Sequence, residues 1–293
     1  MRLDAYLSSQ HQDLSRASIQ KLIKDGKATV NGTVVKKPAY DVSEPAVVRL
    51  SIPKQLDFVD EIAAFQKQVL FENDNVVVVN KPAGMLTHSK GELNNEFTVA
   101  DFVRSQFDPA EAAEQRNNNR LGIVHRLDRA TSGVLICARN LATASYLQKQ
   151  FSERKAHKTY LALVERAPKH SAAQIDLPIA RDIRRPSAFK VDGKGKSAIT
   201  SYRILKYFDD GSALMELKPL TGRTHQLRVH LSYIGVPIIG DPVYGHGKYG
   251  DRLWLHAYQL EITVPTSDSN QRMTFTADLP KDFKSAIEER NEI

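Results

Sequence analysis

The chain has 293 residues, of which 41% are hydrophobic and 26% charged, with a formal net charge of +7. That length admits one or two domains, no apolar run reaches the roughly 18–20 residues of a membrane span, and one cysteine, Cys137, excludes an internal disulfide framework or a cysteine-rich zinc site. The opening Met-Arg-Leu-Asp-Ala-Tyr lacks the apolar stretch of a secretory signal, so the expectation is a cytoplasmic protein, and a pI near 9.3 points to a polyanionic partner such as nucleic acid.

Residues 1–53 read as a unit of their own. Asp13 or Ser15 can cap a helix over Arg16 to Lys24, with Ile19, Leu22 and Ile23 on one face and Arg16, Gln20, Lys21 and Lys24 on the other. Asn31-Gly32 sits between Thr29-Val30 and Val34-Val35. Both central residues tolerate positive φ, which marks a two-residue hairpin. A short strand follows at Ala46 to Leu50. Residues 1–52 carry eight Lys/Arg and five Asp/Glu, so the basic helix face can be a solvated surface or a phosphate-contacting one. The stretches R-L-D-A-Y-L (2–7), S-R-A-S-I-Q-K-L-I (15–23) and G-K-A-T-V-N-G (26–32) resemble the αL-motif RNA-binding domain first named from a small-subunit ribosomal protein.

Residues 54–66 show no clear periodicity and are expected to be a linker with at most a short helical turn. From 67 to 293, β-rich runs occur at Val76 to Val79, Val134 to Ala138, Tyr160 to Val164, Ser201 to Leu205, Ala213 to Pro219 and Leu260 to Val264. Helices are expected at Thr98 to Gln106 and Leu141 to Arg154. Strands and helices do not alternate strictly, so the fold class is α+β rather than a doubly wound sheet. The polar segment 108–120 reads as an exposed excursion.

Four stretches could carry chemistry. V-N-K-P-A-G-M-L-T-H (79–88) reads as a strand running into a turn; its spacing is not that of a P-loop. H-R-L-D-R-A-T-S-G (125–133) places Asp128 between Arg126 and Arg129. An aspartate in a turn is most often an Asx-turn residue, but a carboxylate kept ionised for chemistry in a closed pocket needs a cation nearby, and both readings stand at this point. In K-T-Y-L-A-L-V (158–164), Tyr160 shares a strand face with Ala162 and Val164, as a core tyrosine or as a platform for a base. L-T-G-R-T-H-Q-L-R-V-H-L (220–231) is dense in Arg223, His225, Arg228 and His230. It lacks zinc-ligand spacing and fits either an exposed basic helix or a Thr221-Gly222 turn aiming Arg223 into a cleft. Residues 181–196 hold six basic and two acidic residues and read as a basic hairpin able to clamp a phosphate backbone, or as a solvated loop.

Taken together and in this order, these stretches resemble the RluA-type RNA pseudouridine synthases, with G-D-P-V-Y-G (240–245) and L-H-A-Y-Q-L (255–260) extending the likeness over nearly the whole chain. The resemblance implies a small αL-type domain followed by a catalytic domain with a mixed, mostly antiparallel β-sheet and flanking helices. It implies isomerisation of uridine within RNA, without metal or cofactor. Asp128 matches the catalytic aspartate, acting as nucleophile on ribose or base or removing a ribose proton. Arg223 matches the arginine that pairs with it, and Tyr160 the tyrosine that stacks on the uracil and can move the ring proton. Arg126 matches an arginine that holds the flipped nucleotide, and Leu255 the apolar wall of the base pocket. Arg129 is left as a surface charge. Arg16, Lys21, Lys24, Arg184 and Arg185 are the expected RNA contacts. The expected partner is ribosomal RNA of the large subunit, with the protein a monomer. The alternatives are a transfer RNA substrate or a non-catalytic RNA-binding or ribosome-assembly protein.

Overall fold

The computed structural model describes residues 1–12, 14–43, 45–53, 57–89, 96–115, 118–248, 251–267 and 269–291. The N-terminal unit consists of helices α1 (Leu3–Gln10) and α2 (Arg16–Lys24) and strands β1 (Ala28–Val30), β2 (Thr33–Val34) and β3 (Val48–Leu50), in the sheet order β2-β1-β3. The Ser15 hydroxyl accepts the Ser18 N–H and caps α2; Asp13, the other candidate cap, lies outside the described residues. Ile19 and Ile23 are buried with Leu3 and Leu7 of α1. Asn31 and Gly32 have φ of 50° and 80° and pair Val30 with Thr33, the two-residue turn that matches strand twist. Asp4 is fully buried and accepts hydrogen bonds from Arg2, Arg16 and Gln20. Arg16 is therefore committed to neutralising a buried carboxylate, whereas Lys21 and Lys24 are exposed.

The segment expected as a linker is partly helical. Residues 54–56 lie outside the described set, but α3 (Val59–Phe65) and a 3-10 turn (Gln66–Gln68) follow, and Phe65 is buried against Phe102 and Val99. Phe65 is the apolar anchor that fastens this segment to the larger core.

The remaining elements, in chain order, are β4 (Val69–Glu72), β5 (Val76–Lys81), α4 (Val99–Arg104), α5 (Pro109–Glu114), β6 (Ser132–Ala138), α6 (Leu141–Ser152), β7 (His157–Val164), β8 (Ala172–Asp176), β9 (Ile179–Arg181), β10 (Phe189–Val191), β11 (Ile199–Tyr207), β12 (Ala213–Pro219), α7 (Gln226–Tyr233), β13 (Leu255–Pro265), β14 (Asn270–Thr276) and α8 (Lys281–Glu288). One large sheet runs β4-β5-β6-β13-β7-β12-β11-β8, with β14 paired to β13. Among the described strands, only β6 and β13 pair in parallel, so the fold is α+β with a mostly antiparallel sheet. The four valines of β5 split by strand alternation: Val77 and Val79 face α4, and Val76 and Val78 face the layer holding α6. Burial on both faces explains why β5 reads as a continuous apolar run. The basic segment forms a separate β9–β10 hairpin, Phe189 opposite Arg181. The 108–120 excursion carries α5, capped by Asp108, and the Arg104 guanidinium bonds the Ala112, Gln115 and Asn118 carbonyls; residues 116–117 lie outside the described set. Among the described residues, no helix is long and apolar enough to cross a membrane.

Candidate active site

Asp128 lies in the loop that leads into β6, and both of its neighbours are held from the 79–88 stretch. Lys81 at the end of β5 is fully buried. Its ammonium donates to the carbonyls of Pro82, Met85 and Arg129, at 2.9, 2.9 and 3.2 Å. Burial lowers its pKa to about 7, yet three carbonyl acceptors call for all three ammonium protons. The Thr87 hydroxyl donates to Leu127 O at 2.9 Å and accepts the Leu127 N–H at 3.3 Å. A stretch that reads locally as a plain strand exit thus grips the residues on either side of Asp128.

Farther along, the Arg252 guanidinium donates to Ala130 O and to the Ser132 hydroxyl, which hands its own proton to His256 Nδ1 at 2.8 Å. Gly133 has φ +115°, and a Cβ there would sit 2.1 Å from the Ala257 carbonyl oxygen; only glycine allows β6 and β13 to approach. His125 Nε2 accepts the Ile136 N–H at 3.1 Å, and burial holds its pKa down at about 3. Arg129 is exposed but paired with Glu96, so it is a bridge between loops rather than a bare surface charge.

The cleft beside Asp128 is lined by Arg126, Lys158, Tyr160, Arg223, His225, Arg228 and Leu255, among others. It encloses about 100 Å³, roughly three waters' share of liquid and the scale of one planar ring. Tyr160 comes from β7 and Leu255 from the start of the neighbouring β13, across one strand pairing. Burial, with Asp128 adding to it, pushes the Tyr160 phenol above its ordinary pKa, so it is neutral at physiological pH. Burial lowers Lys158 to about 8; its ammonium donates to Thr221 O at 3.1 Å.

The counter-ion of Asp128 is Arg228, not Arg223. Arg228 Nη1 lies 3.3 Å from Asp128 Oδ2. Its Nε and Nη2 donate to both oxygens of Asp241, at 2.7 and 2.8 Å. Asp241 is fully buried and also accepts the N–H groups of Val243 and Tyr244. Burial works against the Arg228 charge, but Asp241 and Asp128 outweigh it and raise its pKa. Burial likewise opposes the Asp241 anion, and Arg228 prevails and lowers its pKa.

The physical reason lies in the turn. Gln226 Oε1 accepts the Thr221 hydroxyl and the Arg223 N–H, while its amide donates to Ile199 O. His225 then adopts a left-handed backbone, φ 56°, a conformation that costs a non-glycine residue roughly 1–3 kcal/mol. α7 begins only at Gln226, and it is buried from Gln226 to Leu231. Arg223 falls outside the helix, is exposed, and donates from Nε to Ser197 O at 3.0 Å. Arg228 falls on the buried side. His225, a second residue unassigned by the sequence motifs, has Nε2 3.8 Å from Asp128 Oδ2.

Arg126 is exposed at the cleft mouth. Arg184 and Arg185 lie on the β9–β10 hairpin outside the cleft lining; Arg185 pairs with Asp182 at 3.1 Å.

The profile of the family described as RNA pseudouridylate synthase matches residues 75–233, which span β5 to α7 and include Asp128, Tyr160 and Arg228. The chain belongs to this family. The S4 domain profile matches residues 1–48. Ribosomal large subunit pseudouridine synthase D of Borreliella burgdorferi is 36% identical over 97% of this chain and 87% of its own length. The protein of the same name from Zymomonas mobilis is 33% identical, covering 97% and 92%. Human RNA pseudouridylate synthase domain containing 4, a solved structure, superposes with TM-score 0.61 at 27% identity, covering 78% of this chain and 95% of that one. The chain is thus an RNA pseudouridine synthase, and its cleft has the charge such an enzyme needs. Arg126, Lys158, Arg223 and Arg228 line the cleft with Asp128, and even with Asp241 paired to Arg228 four cations face two carboxylates, a surplus of positive charge that suits a phosphodiester substrate.

Proposed function

We propose that this synthase converts specific uridines of large-subunit ribosomal RNA to pseudouridine, with Asp128 as the reacting carboxylate. The observation that carries the reading is the Asp128–Arg228 pair at 3.3 Å inside a cleft walled by Tyr160 and Leu255. The names of relatives from three bacteria, two called ribosomal large subunit pseudouridine synthase D and one from Vibrio parahaemolyticus called synthase C, support the ribosomal target.

The reaction moves the ribose C1′ bond from ring N1 to ring C5; C5 gives up a proton and N1 gains one, so nothing is added or lost. Asp128 acts in its ionised form, on the ribose C1′, on the base or on a ribose proton, and Arg228 offsets the cost of keeping that charge in the cleft. Tyr160 stacks its neutral ring on the uracil and Leu255 closes the other wall. Lifting the uridine from its stack costs a few kcal/mol. Compensating contacts come from Arg126 at the mouth, from Arg184 and Arg185 on the hairpin, and from Lys21 and Lys24 on α2.

Asp128→Asn and Asp128→Ala abolish pseudouridine formation while folding and RNA binding persist; turnover retained in either variant overturns the assignment. Mapping pseudouridine position by position in total RNA from a deletion strain tests the target. Losses confined to transfer RNA would reject the ribosomal assignment and keep the reaction.

A further inference from the structure

A short chain of hydrogen bonds runs from the β9–β10 hairpin to His225, whose ring faces the reacting carboxylate. The Phe189 N–H, at the start of β10, donates to Tyr244 Oη at 2.8 Å. Tyr244 Oη lies 2.8 Å from His225 Nδ1, and His225 Nε2 lies 3.8 Å from Asp128 Oδ2. The His225 ring is edge-on to both the Phe189 and Tyr244 rings, at 5.6 Å from each. Phe189 and Val191 of the hairpin pack with Val229 of α7 and with Tyr244.

These bonds favour one tautomer of His225. A main-chain N–H can only donate, so Tyr244 Oη accepts from Phe189. The phenolic proton is then free to point at His225 Nδ1, 2.8 Å away, an acceptor when the imidazole carries its proton on Nε2. A neutral imidazole that accepts at Nδ1 carries its proton on Nε2, and that is the nitrogen facing Asp128. Burial, more than the neighbouring Arg228, keeps the His225 pKa below its ordinary value against the pull of Asp128, so the neutral ring is the resident form at neutral pH.

We infer that Tyr244 is a positioning residue: it fixes His225 as the Nε2–H tautomer, aims that N–H at Asp128, and so makes the seating of the basic hairpin part of the assembly of the reacting site. This rests on Asp128 carrying the chemistry. A separation of 3.8 Å in the substrate-free protein is one that closes when RNA seats the hairpin, as catalytic hydrogen bonds commonly tighten on substrate binding. Two donors, Arg228 and His225, then converge on one carboxylate oxygen and leave the other for the substrate.

The test uses the full-length protein, Tyr244→Phe, His225→Gln and the double variant. Phenylalanine keeps the ring and removes the hydroxyl. Glutamine keeps a donor that needs no tautomer. Nitrogen-15 spectra of the histidine rings, with His225 assigned by its loss in His225→Gln, should show the proton on Nε2 in the native protein and lose that preference in Tyr244→Phe. The single-turnover rate in Tyr244→Phe should fall about tenfold, the loss of one hydrogen bond to a charged group. In the His225→Gln background, adding Tyr244→Phe should cost nothing further. A native Nδ1–H tautomer overturns the inference. So does an undiminished rate in Tyr244→Phe, or the same loss with and without His225, which would place the effect in the hairpin alone. Turnover surviving in Asp128→Asn would instead reject the reacting-carboxylate assignment, whatever the tautomer.

Discussion

Arg228 offers the sharpest test of the site, because two carboxylates share its guanidinium. Lysine at this position keeps one charge but cannot reproduce the planar fork that now makes bonds of 2.7 and 2.8 Å to Asp241 and 3.3 Å to Asp128. A lysine ammonium satisfying the buried Asp241 withdraws from Asp128. A hydrogen bond to a charged group is worth about 1.5–3 kcal/mol, so the chemical step in Arg228→Lys should slow roughly 10- to 150-fold. Arg228→Met is harsher. It leaves Asp241, fully buried, with only the Val243 and Tyr244 N–H groups, and breaking a buried pair from one side costs about 3–5 kcal/mol. Arg223→Ala is the contrast: an exposed side chain bonded to one carbonyl, whose loss should change stability by about 0.5 kcal/mol or less. Single-turnover release of the C5 hydrogen from labelled uridine in RNA reads the chemistry, and urea denaturation reads the stability. Arg228→Met as stable as the native protein, or Arg223→Ala as destabilised as Arg228→Met, would refute the assignment of the buried pair.

Gly133→Ala should destabilise by roughly 2–6 kcal/mol, summing about 1–3 for the strained backbone and about 1–3 for overpacking, since its Cβ would strike the Ala257 carbonyl. Gly84→Ala, at φ +88° with open space around the new Cβ, should cost only the strain; thermal denaturation compares the two. Lys158, lowered to about 8 by burial, is a cleft cation that disappears as pH rises through that value. RNA binding should weaken between about pH 7 and 9, and Lys158→Met should flatten that limb of a fluorescence-anisotropy titration. An unchanged slope in Lys158→Met would assign the pH dependence elsewhere.

Much of this protein was legible without coordinates. The helix over Arg16 to Lys24, the Asn31-Gly32 turn, the strand at Ala213 to Pro219 and the α+β class follow from period, capping and turn chemistry. Those are local properties, written into neighbouring residues. The motif order also brought Asp128, Tyr160 and Leu255 to attention together, and the three do line one cleft. The sequence alone could not choose the cation. Arg223 and Arg228 stand five residues apart in one basic run, and which of them turns inward depends on where a helix starts. That start is set by Gln226 reaching back to Thr221 and by His225 accepting a left-handed backbone, contacts that exist only once α7 is packed on β11 and β12. Lys81 and Asp241 show the same limit. Each looks like an ordinary turn residue until the chain closes around it. Burial then turns one into the grip on the Asp128 loop and the other into the second carboxylate on Arg228. Local sequence determined the elements and singled out the candidate reacting groups, whereas the tertiary structure decided which charges are buried together, because burial is a property of the whole packed chain.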